Sequence, residues 1–399
     1  MCLTTIRYKN ILPFSKYHIM TNTDKALLSL VSAGIGHGTI QQIPKGVDWI
    51  RLFELSEKHG VSAICVDGLQ YVVNRTAATS SAKEPPLSLK LKWIGRTIQI
   101  EQQYNTYIEA NKALAKWYGE HNFPMMLLKG YGLSLNYPKP NHRPCGDIDI
   151  YLFGKWKEAD ALISKKLGIT VDNSHHHHSC FLFPYIGTEE SISGTQHRMS
   201  FSVENHYDFI NVHSHWSNKR IEKRFKELAR RTGEEVLPNV FLPEPNLNAL
   251  FVARHCAIHF ASGELIIKQI LDFALLIKAS YERIDWGVFW ADCENMGMTN
   301  FVLAIIDIAV NIFGFDLIIF NVPSSLQFNS MTSKRVLDDM LCPVYDGERP
   351  RGLLYLNWML HRWWKHRWKH KLVYTDSLWS TFFMQVYSHL QKPTSFMGK

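Results

Sequence analysis

The sequence predicts an α+β fold in which a small mixed sheet lies between two helical regions. Two short apolar segments indicate buried strands: residues 125–128 form a continuous apolar run, and residues 148–153 are rich in strand-forming side chains. Apolar residues recur at helical spacing before them, from about residue 24 to residue 122, and again after residue 218. With 399 residues, the chain can form two or three structural units around a substantial core.

The composition is that of an ordinary globular protein with a modest basic excess. Hydrophobic residues make up 46% and charged residues 20% of the chain, and 44 basic against 36 acidic residues give a net charge of +8. That charge suits an anionic ligand such as a nucleotide or RNA, although many globular proteins reach it without one. Seven cysteines without a Cys-x-x-Cys pair indicate reduced thiols, not a disulfide framework, so we expect a cytoplasmic protein.

Four parts of the chain can be distinguished. Residues 1–19 lack a sustained apolar segment, and we expect a loosely ordered N-terminal extension without a signal peptide. Residues 20–122 are predicted to form a helical region, residues 123–217 the strand-containing core, and residues 218–399 a helical C-terminal domain with a basic, tryptophan-rich tail. The apolar stretch 301–322 contains aspartates and a glycine, so we expect no transmembrane segment.

The first helical region is interpreted as scaffold. Helical spacing predicts a first helix that ends at Gly34, a second helix from Trp49 to His59, and as the third a long helix that ends at about His121. Thr23 or Asp24 is expected to be the N-cap residue of the first helix. The aromatic stripe of the third helix is typical of core packing and carries no chemistry of its own.

Two carboxylates, Asp147 and Asp149, stand at the start of the second predicted strand. Residues i and i+2 of a strand point to the same face, so both would project together while Ile148 points into the core. Adjacent carboxylates repel each other unless a cation lies between them, and Mg²⁺ prefers oxygen ligands completed by substrate phosphates. Gly146 would let a nucleotide or metal approach the backbone. Alone, such a pair is more often a solvated strand edge, a turn or a helix cap.

The segment after the first predicted strand has the residue types of a phosphate-binding turn. Small residues follow a lysine at the point where a strand gives way to a helix, and backbone N–H groups at such a helix start favour phosphate. The candidates for nucleotide contact here are Lys129, Gly130, Gly132 and Ser134, with Arg143 further on as a second positive charge for the phosphates.

A third predicted strand, within residues 197–209, supplies another candidate carboxylate. Apolar and polar residues alternate there, which indicates a half-buried strand with Glu204 on its polar face. Glu204 would complete a two-metal site or act as the base if this strand lies beside the Asp147 strand. His206 would share that face as a candidate substrate contact or a structural histidine, and Asp208 is the rival third carboxylate.

Histidines elsewhere are interpreted as structural. The run His175–His178 could bind a transition metal, but no spaced cysteine or carboxylate accompanies it, and it lies in a stretch, residues 168–197, predicted to be irregular. His213 and His215 lack a third ligand at useful spacing for zinc and are interpreted as structural or substrate-adjacent.

Further helices are predicted at residues 156–167 and throughout the C-terminal part. One charged helix, residues 218–231, should be solvated, and buried helices should begin near residues 246, 265, 284 and 301. Among them, the side chains that share helix faces at i, i+4 spacing are His255 and His259, with Arg254 alongside, and Lys268 and Asp272; their role, at the site or as helix support, stays open.

The basic, tryptophan-rich tail, residues 358–371, allows three interpretations. Tryptophan interleaved with arginine and lysine could bind RNA through stacking and phosphate contacts, or lie on a membrane surface. The favoured interpretation is a helix whose tryptophan side packs on the bundle while its basic side chains face water.

The segment Leu-Leu-Lys-Gly at 127–130, followed by Arg-Pro-Cys-Gly-Asp-Ile-Asp-Ile at 143–150, resembles the uncharacterised nucleotidyltransferase family of the DNA polymerase beta superfamily. Phe-Ser-Val-Glu-Asn-His at 201–206 is similar to a later strand motif of that family, and the helices after residue 250 are similar to its C-terminal half, with Lys268 where an arginine is expected. The resemblance implies a polymerase-beta-like core, an NTP substrate, and Mg²⁺ with Mn²⁺ as an alternative ion. Lys-Gly-x-Gly stands where the superfamily has Gly-Ser.

Together these observations predict an Mg²⁺-dependent nucleotidyltransferase that transfers a nucleoside monophosphate from an NTP to an acceptor hydroxyl and releases pyrophosphate. Asp147, Asp149 and Glu204 are the candidate catalytic residues and metal ligands. The alternative is a catalytically degenerate protein of the same fold that binds RNA or a protein partner through its tail. The sequence does not identify the NTP, the oligomeric state or the acceptor, which is a small molecule, RNA or a protein.

Overall fold

The strands form one six-stranded mixed sheet in the computed structural model, which describes residues 19–37, 43–76, 84–186, 198–343 and 353–391. The strand order is β3-β4-β2-β1-β6-β5; β2 and β4 are parallel, as are β1 and β6, and the other neighbours are antiparallel. The strands are β1 (Met125–Leu127), β2 (Ile148–Tyr151), β3 (His178–Ile186), β4 (Arg198–His206), β5 (Thr232–Leu237) and β6 (Val240–Pro243).

Helices before and after the core strands confirm the predicted combination of a mixed sheet with many helices. The predicted extension 1–19 lies outside the described residues except for residue 19. In chain order the α-helices are α1 (Asn22–Gly34), α2 (Trp49–Lys58), α3 (Ser62–Thr76), α4 (Leu87–Glu120), α5 (Tyr131–Ser134), α6 (Trp156–Leu167), α7 (Ser217–Leu228), α8 (Pro245–Ser262), α9 (Ile267–Ser280), α10 (Trp286–Asn295), α11 (Thr299–Asn311), α12 (Ser330–Leu341), α13 (Leu353–Val373) and α14 (Leu378–Gln391).

The sequence prediction is wrong at β3, because residues 168–197 were expected to be irregular. The strand pairs with β4 from His178 opposite His206 to Ile186 opposite Arg198. Although β4 is the next strand along the chain, the paired positions lie from 12 (Ile186 and Arg198) to 28 residues apart (His178 and His206), beyond the reach of a local pattern. Strands β5 and β6 were likewise not predicted, since they are short and joined by a tight turn at residues 238–239.

The first helix begins two or three residues earlier than the sequence suggested. Thr21, not Thr23 or Asp24, is the N-cap residue, and its hydroxyl accepts from the Asp24 backbone N–H. The Asp24 carboxylate in turn accepts from the Thr21 backbone N–H at 2.9 Å. This reciprocal capping box satisfies two N–H groups at the helix start.

Side chains on the two faces of the sheet enter two different hydrophobic clusters. Met125 and Ile148 pack with α4 and α6, whereas Met126 enters the larger cluster formed by the helices before and after the core. This alternation follows the two-residue period of a strand. One face of the sheet is therefore covered by α4 and α6, and the opposite face looks toward α8 and α9. The four-part division of the chain stays a prediction.

Helix α13 contains the whole of the tryptophan-rich tail, residues 358–371. Trp368 packs against the larger hydrophobic cluster, as the favoured interpretation requires. Lys369 departs from it, because this lysine is 1% exposed and its ammonium lies 2.7 Å from the Asp339 carboxylate. Trp364 stays 54% exposed, with the Arg367 guanidinium 4.3 Å from its ring centre.

Among the described residues, none of the helices combines the length and the apolar character needed to cross a lipid bilayer.

Candidate active site

One pocket brings together most of the side chains that the sequence singles out. It has a volume of about 570 Å³, within the usual range for small-molecule sites, and lies between the sheet and helices α8 and α9. The predicted site residues that line it are, in chain order, Lys129, Gly130, Arg143, Gly146, Asp147, Asp149, Glu204 and His206.

Strand β2 presents the carboxylate pair as the alternation of the strand requires. Ile148 and Ile150 are fully buried in the cluster with α4 and α6. Asp147, which precedes Ile148, and Asp149, which lies between the two isoleucines, line the pocket on the opposite face. Gly146 is exposed, and a side chain there would meet nothing within 4 Å, so the backbone at this point is open to a ligand.

Strand β4 places the third carboxylate beside this pair. It runs parallel to β2 with Glu204 opposite Asp149, so the two side chains are neighbours on the pocket face. His206 Nε2 lies 3.3 Å from Asp149 Oδ1 and 3.6 Å from Glu204 Oε2. The rival Asp208 is turned away and pairs with the Lys226 ammonium.

Lys129 and His206 are the cationic side chains that contact the carboxylates. Burial would raise the pKa of Asp149, but the Lys129 ammonium at 2.7 Å and the hydrogen bond from His206 outweigh it and lower the pKa well below its usual value. Burial would lower the pKa of His206, but its bonds to Asp149 and Glu204 raise it. His206 is therefore held toward its charged, doubly donating form.

Asp147 is the most open of the three carboxylates. Its pKa is raised by partial burial and then by the charges of Glu204 and Asp149. Three carboxylates thus face two cationic groups on the sheet wall of the pocket, which leaves a surplus of negative charge. A surplus of this kind attracts a cation.

The turn after β1 is fixed by Gly130 and Tyr107. Gly130 has φ +62° and ψ −116°, a conformation that residues with a side chain rarely adopt, and an added Cβ would collide with the Tyr107 hydroxyl. That hydroxyl donates to the Asp147 backbone carbonyl at 3.1 Å. The sequence assigned α4 to scaffold, yet this tyrosine of α4 contacts both the Gly130 turn and the backbone of Asp147.

Gly132 and Ser134 lie behind the pocket wall, so the structure does not bring them to the pocket. A Cβ on Gly132 would lie 2.6 Å from Leu242 of β6. The Ser134 hydroxyl is fully buried, donates to the Tyr131 carbonyl and hydrogen-bonds the Tyr104 hydroxyl at 2.7 Å. Helix α5 is a single turn, too short for a helix dipole to contribute much.

Arg143 lines the pocket, but its charge is taken up by Asp272 of α9. Its Nε and Nη2 atoms donate to the two Asp272 carboxylate oxygens at 2.7 and 2.8 Å, and Nη1 donates to the Gly130 carbonyl at 3.2 Å. The Tyr137 hydroxyl also donates to Asp272. The guanidinium therefore holds the Gly130 turn against α9.

Helices α8 and α9 close the pocket with His255, His259 and Lys268. Burial and then the charge of Lys129 lower the pKa of His255 well below its usual value, and burial also lowers that of His259. Burial and the nearby Arg143 guanidinium lower the pKa of Lys268. This wall presents neutral imidazoles. Arg254 does not reach the pocket, since its guanidinium donates to the Val373 carbonyl and to Asn218.

Two residues of the four-histidine run also line the pocket. His178 opens β3 directly opposite His206, and His177 precedes it. Burial and then the charge of His206 lower the pKa of His177 to about 3; burial lowers that of His178 to about 4 against the opposing charge of Glu204. The only sequence signal was the run itself, because its partner His206 comes from a non-local pairing. His213 is exposed, and His215 stacks on Tyr374 outside this cluster.

The donor set on the sheet wall fits a hard divalent cation. Ligand atoms of Asp149, Glu204 and His206 lie within 4.8 Å of one another, and Asp147 is on the same wall. Carboxylate oxygens are the ligands that Mg²⁺ and Mn²⁺ prefer.

Comparison with known proteins gives one match. A family model described as "uncharacterised nucleotidyltransferase" matches residues 45–314, which include helices α2 to α11 and the entire sheet. Neither a curated protein nor a solved structure matches the chain.

Proposed function

The chain belongs to the uncharacterised nucleotidyltransferase family, and from that premise we propose that it transfers a nucleoside monophosphate from an NTP to an acceptor hydroxyl in an Mg²⁺-dependent reaction. The observation that carries the proposal is the sheet wall of the pocket, where Asp147, Asp149 and Glu204 face one another on two adjacent parallel strands. Mn²⁺ is an alternative ion with the same ligand preference.

The three carboxylates would bind the divalent ion and accept the proton of the acceptor hydroxyl. Asp147 and Asp149 would bind the ion, with Glu204 as a further ligand or as the base. Bound there, Mg²⁺ supplies charge that stabilises the entering and leaving oxygens of the transferred phosphoryl group. His206 orients the pair, since it contacts both Asp149 and Glu204.

The chain's own residues account for the proton and the phosphates. The acceptor oxygen bonds to the α-phosphorus while the bond to the bridging oxygen of the β-phosphate breaks, pyrophosphate leaves, and Glu204 takes the acceptor proton. Lys129 lies 2.7 Å from Asp149 and lines the pocket, so its ammonium is within reach of a phosphate bound over that carboxylate. Arg143 would not contact the phosphates itself. Its guanidinium donates to the Gly130 carbonyl and would hold the turn that contacts the nucleotide.

We extend the proposal to the fold and its parts. The core would be polymerase-beta-like, with residues 123–217 as its main body and helical parts at 20–122 and 218–399. A cytoplasmic location would agree with the cysteines, which are free wherever the structure describes them. The acceptor class stays open between a small molecule, RNA and a protein.

The decisive experiment is incubation of the full-length protein with Mg²⁺ and each labelled NTP, with or without a cell lysate as the source of acceptor. We expect metal-dependent pyrophosphate release and label transfer. Asp149→Ala should abolish both, while circular dichroism shows an intact fold. Equal turnover by Asp149→Ala and the unchanged protein would refute the mechanism.

A matched pair of variants tests the third carboxylate. Glu204→Gln should lower turnover at least by the about 10²–10³-fold that loss of one transition-state-stabilising group causes. Asp208→Asn should leave turnover within about threefold, because the Asp208 side chain pairs with Lys226 outside the pocket lining. The reverse order of effects would move the assignment to Asp208. RNA binding that depends on α13, without NTP turnover, would favour the degenerate binding protein instead.

A further inference from the structure

Three imidazoles meet at the end of the pocket, and the proposed nucleotidyl transfer uses only one of them. The ring centres of His177, His178 and His206 lie 4.5 to 5.5 Å apart. Ligand nitrogens of the three rings are within 4.8 Å of one another. No other set of three histidines in the described part of the chain comes together in this way.

The backbone holds this histidine group in place. His178 and His206 are direct partners across the antiparallel pair β3 and β4. The Tyr207 and Asp208 backbone N–H groups both donate to the His177 carbonyl at 3.0 Å, which fixes the residue before β3 at the end of β4. Side chains placed by paired backbone need little reorganisation to bind a common ligand.

Two of the three rings have a nitrogen without a hydrogen-bond partner. His177 Nδ1 and His178 Nδ1 are buried and have no hydrogen-bond partner in the structure. A buried polar atom without a partner costs about 1–3 kcal/mol, so its presence calls for an explanation. His206 Nδ1 lies 3.3 Å from the Asp208 carbonyl, and its Nε2 lies 3.3 Å from Asp149 Oδ1, so this ring would release its Nε2 proton on binding a metal ion. Metal-binding histidines commonly donate their second nitrogen to a backbone carbonyl in this way.

We propose that His177, His178 and His206 form a binding site for one transition-metal ion of the Zn²⁺ class. Three imidazoles with an open fourth position are a ligand set that Zn²⁺ uses, whereas Mg²⁺ prefers oxygen. Glu204 lies beside the group, with Oε1 3.8 Å from His178 Nε2, and is the nearest candidate for the fourth ligand. The site shares His206 and Glu204 with the carboxylate wall and differs from that wall in its imidazole ligands. Its existence does not depend on the proposed nucleotidyl transfer.

Co²⁺ titration of the full-length protein, after removal of metal by a chelator, tests this site directly. We expect a visible absorption band of four-coordinate Co²⁺ that saturates at one equivalent and is abolished by Zn²⁺, while excess Mg²⁺ leaves it unchanged. His177→Ala and His178→Ala should each weaken binding by at least the about 10–100-fold that loss of a supporting partner already costs.

Two control variants separate this site from other metal binding. His361→Ala removes an exposed histidine of α13 outside the group, and it should leave the Co²⁺ titration unchanged. Asp147→Asn should also retain the Co²⁺ band, although it weakens any Mn²⁺ binding at the carboxylates. Circular dichroism of each variant identifies loss of binding through unfolding, and His178→Gln is the conservative replacement if His178→Ala does not fold.

The result that overturns the proposal is equally specific. Co²⁺ binding that survives in both His177→Ala and His178→Ala, or that is lost in Asp147→Asn alone, would assign the ion to the carboxylates and not to the histidine group. Absence of a saturable band in the unchanged protein would also refute it. Neither result bears on NTP turnover, which Asp149→Ala tests separately.

Discussion

The two walls of the pocket use the same kinds of charged side chain in opposite ways. On the helical wall, Arg143 and Asp272 form a bidentate ion pair at 2.7 and 2.8 Å, and both side chains are at most 7% exposed. On the sheet wall, the three carboxylates of Asp147, Asp149 and Glu204 outnumber the two cationic groups beside them, Lys129 and His206, so negative charge is in excess there.

This difference separates support from chemistry. A buried pair whose charges cancel has little to offer a ligand, and its loss is felt as instability. A group of like charges is unfavourable by itself and becomes favourable when a cation or a phosphate-bound metal joins it. Residue type alone therefore does not identify the reactive wall; the local balance of charge does.

The largest expected effect on the free energy of unfolding comes from breaking the buried Arg143–Asp272 pair on the helical wall. In the unchanged protein, burial would lower the pKa of Arg143, but the Asp272 carboxylate holds it above its usual value. Asp272→Asn removes that counter-charge and leaves the guanidinium buried and charged. Removal of one partner from a buried pair costs about 3–5 kcal/mol in the free energy of unfolding, which urea denaturation would measure.

Lys139→Ala is the matched control for that measurement. It removes an ion pair to Asp67 in which the lysine side chain is 53% exposed, so the expected loss is below about 1 kcal/mol. Equal losses in Lys139→Ala and Asp272→Asn would contradict the distinction between a supporting wall and a reactive one.

A smaller effect is expected at Glu222 of α7, which tests how a buried carboxyl beside a second carboxylate behaves. Burial, and then the charge of Asp208, raise its pKa to about 7, against backbone N–H bonds from Phe209 and Ile210. The folded protein therefore keeps the proton while the unfolded chain loses it near its ordinary pKa of 4.5. Stability should fall as the pH rises from about 4.5 to about 7.

Glu222→Gln removes this pH dependence while its amide oxygen can still accept the two backbone bonds. We expect the variant to match the unchanged protein at pH 4 and to exceed it at pH 8 by up to about 2–3 kcal/mol in the free energy of unfolding. Denaturation at both pH values measures the difference. A constant offset at the two pH values would show that Glu222 does not titrate as stated.

The smallest effect on the free energy of unfolding is expected at Asp147, on the sheet wall. Asp147→Asn relieves the repulsion from Glu204 and Asp149 that raises the pKa of this exposed carboxyl. Because solvent screens the site, the gain in the free energy of unfolding should be below about 1 kcal/mol, although turnover falls. A thermal melt and the NTP assay, run on the same preparation, measure both. A clear loss of stability would mean that Asp147 supports the fold.

Local pattern was sufficient where structure depends on neighbours in sequence. It predicted β1, β2 and β4 and the helices around them, and it placed Asp147, Asp149 and Glu204 on polar faces of strands. It failed at β3, which depends on β4 for its hydrogen bonds, and at the first N-cap, where four consecutive short polar residues, 21–24, are all possible caps. It also gave no reason to select Tyr107, because a buried tyrosine on a long helix normally serves packing.

The sequence by itself determined the residue types of the site and the strand faces on which they stand, because side-chain direction follows from the two-residue period of a strand. Only the tertiary structure decided which groups meet. It paired Arg143 with Asp272 across 129 positions, gave His177 and His178 the partner His206, and turned Asp208 away toward Lys226. Charge compensation is a property of distances in space, and a sequence contains those distances only after the sheet has formed.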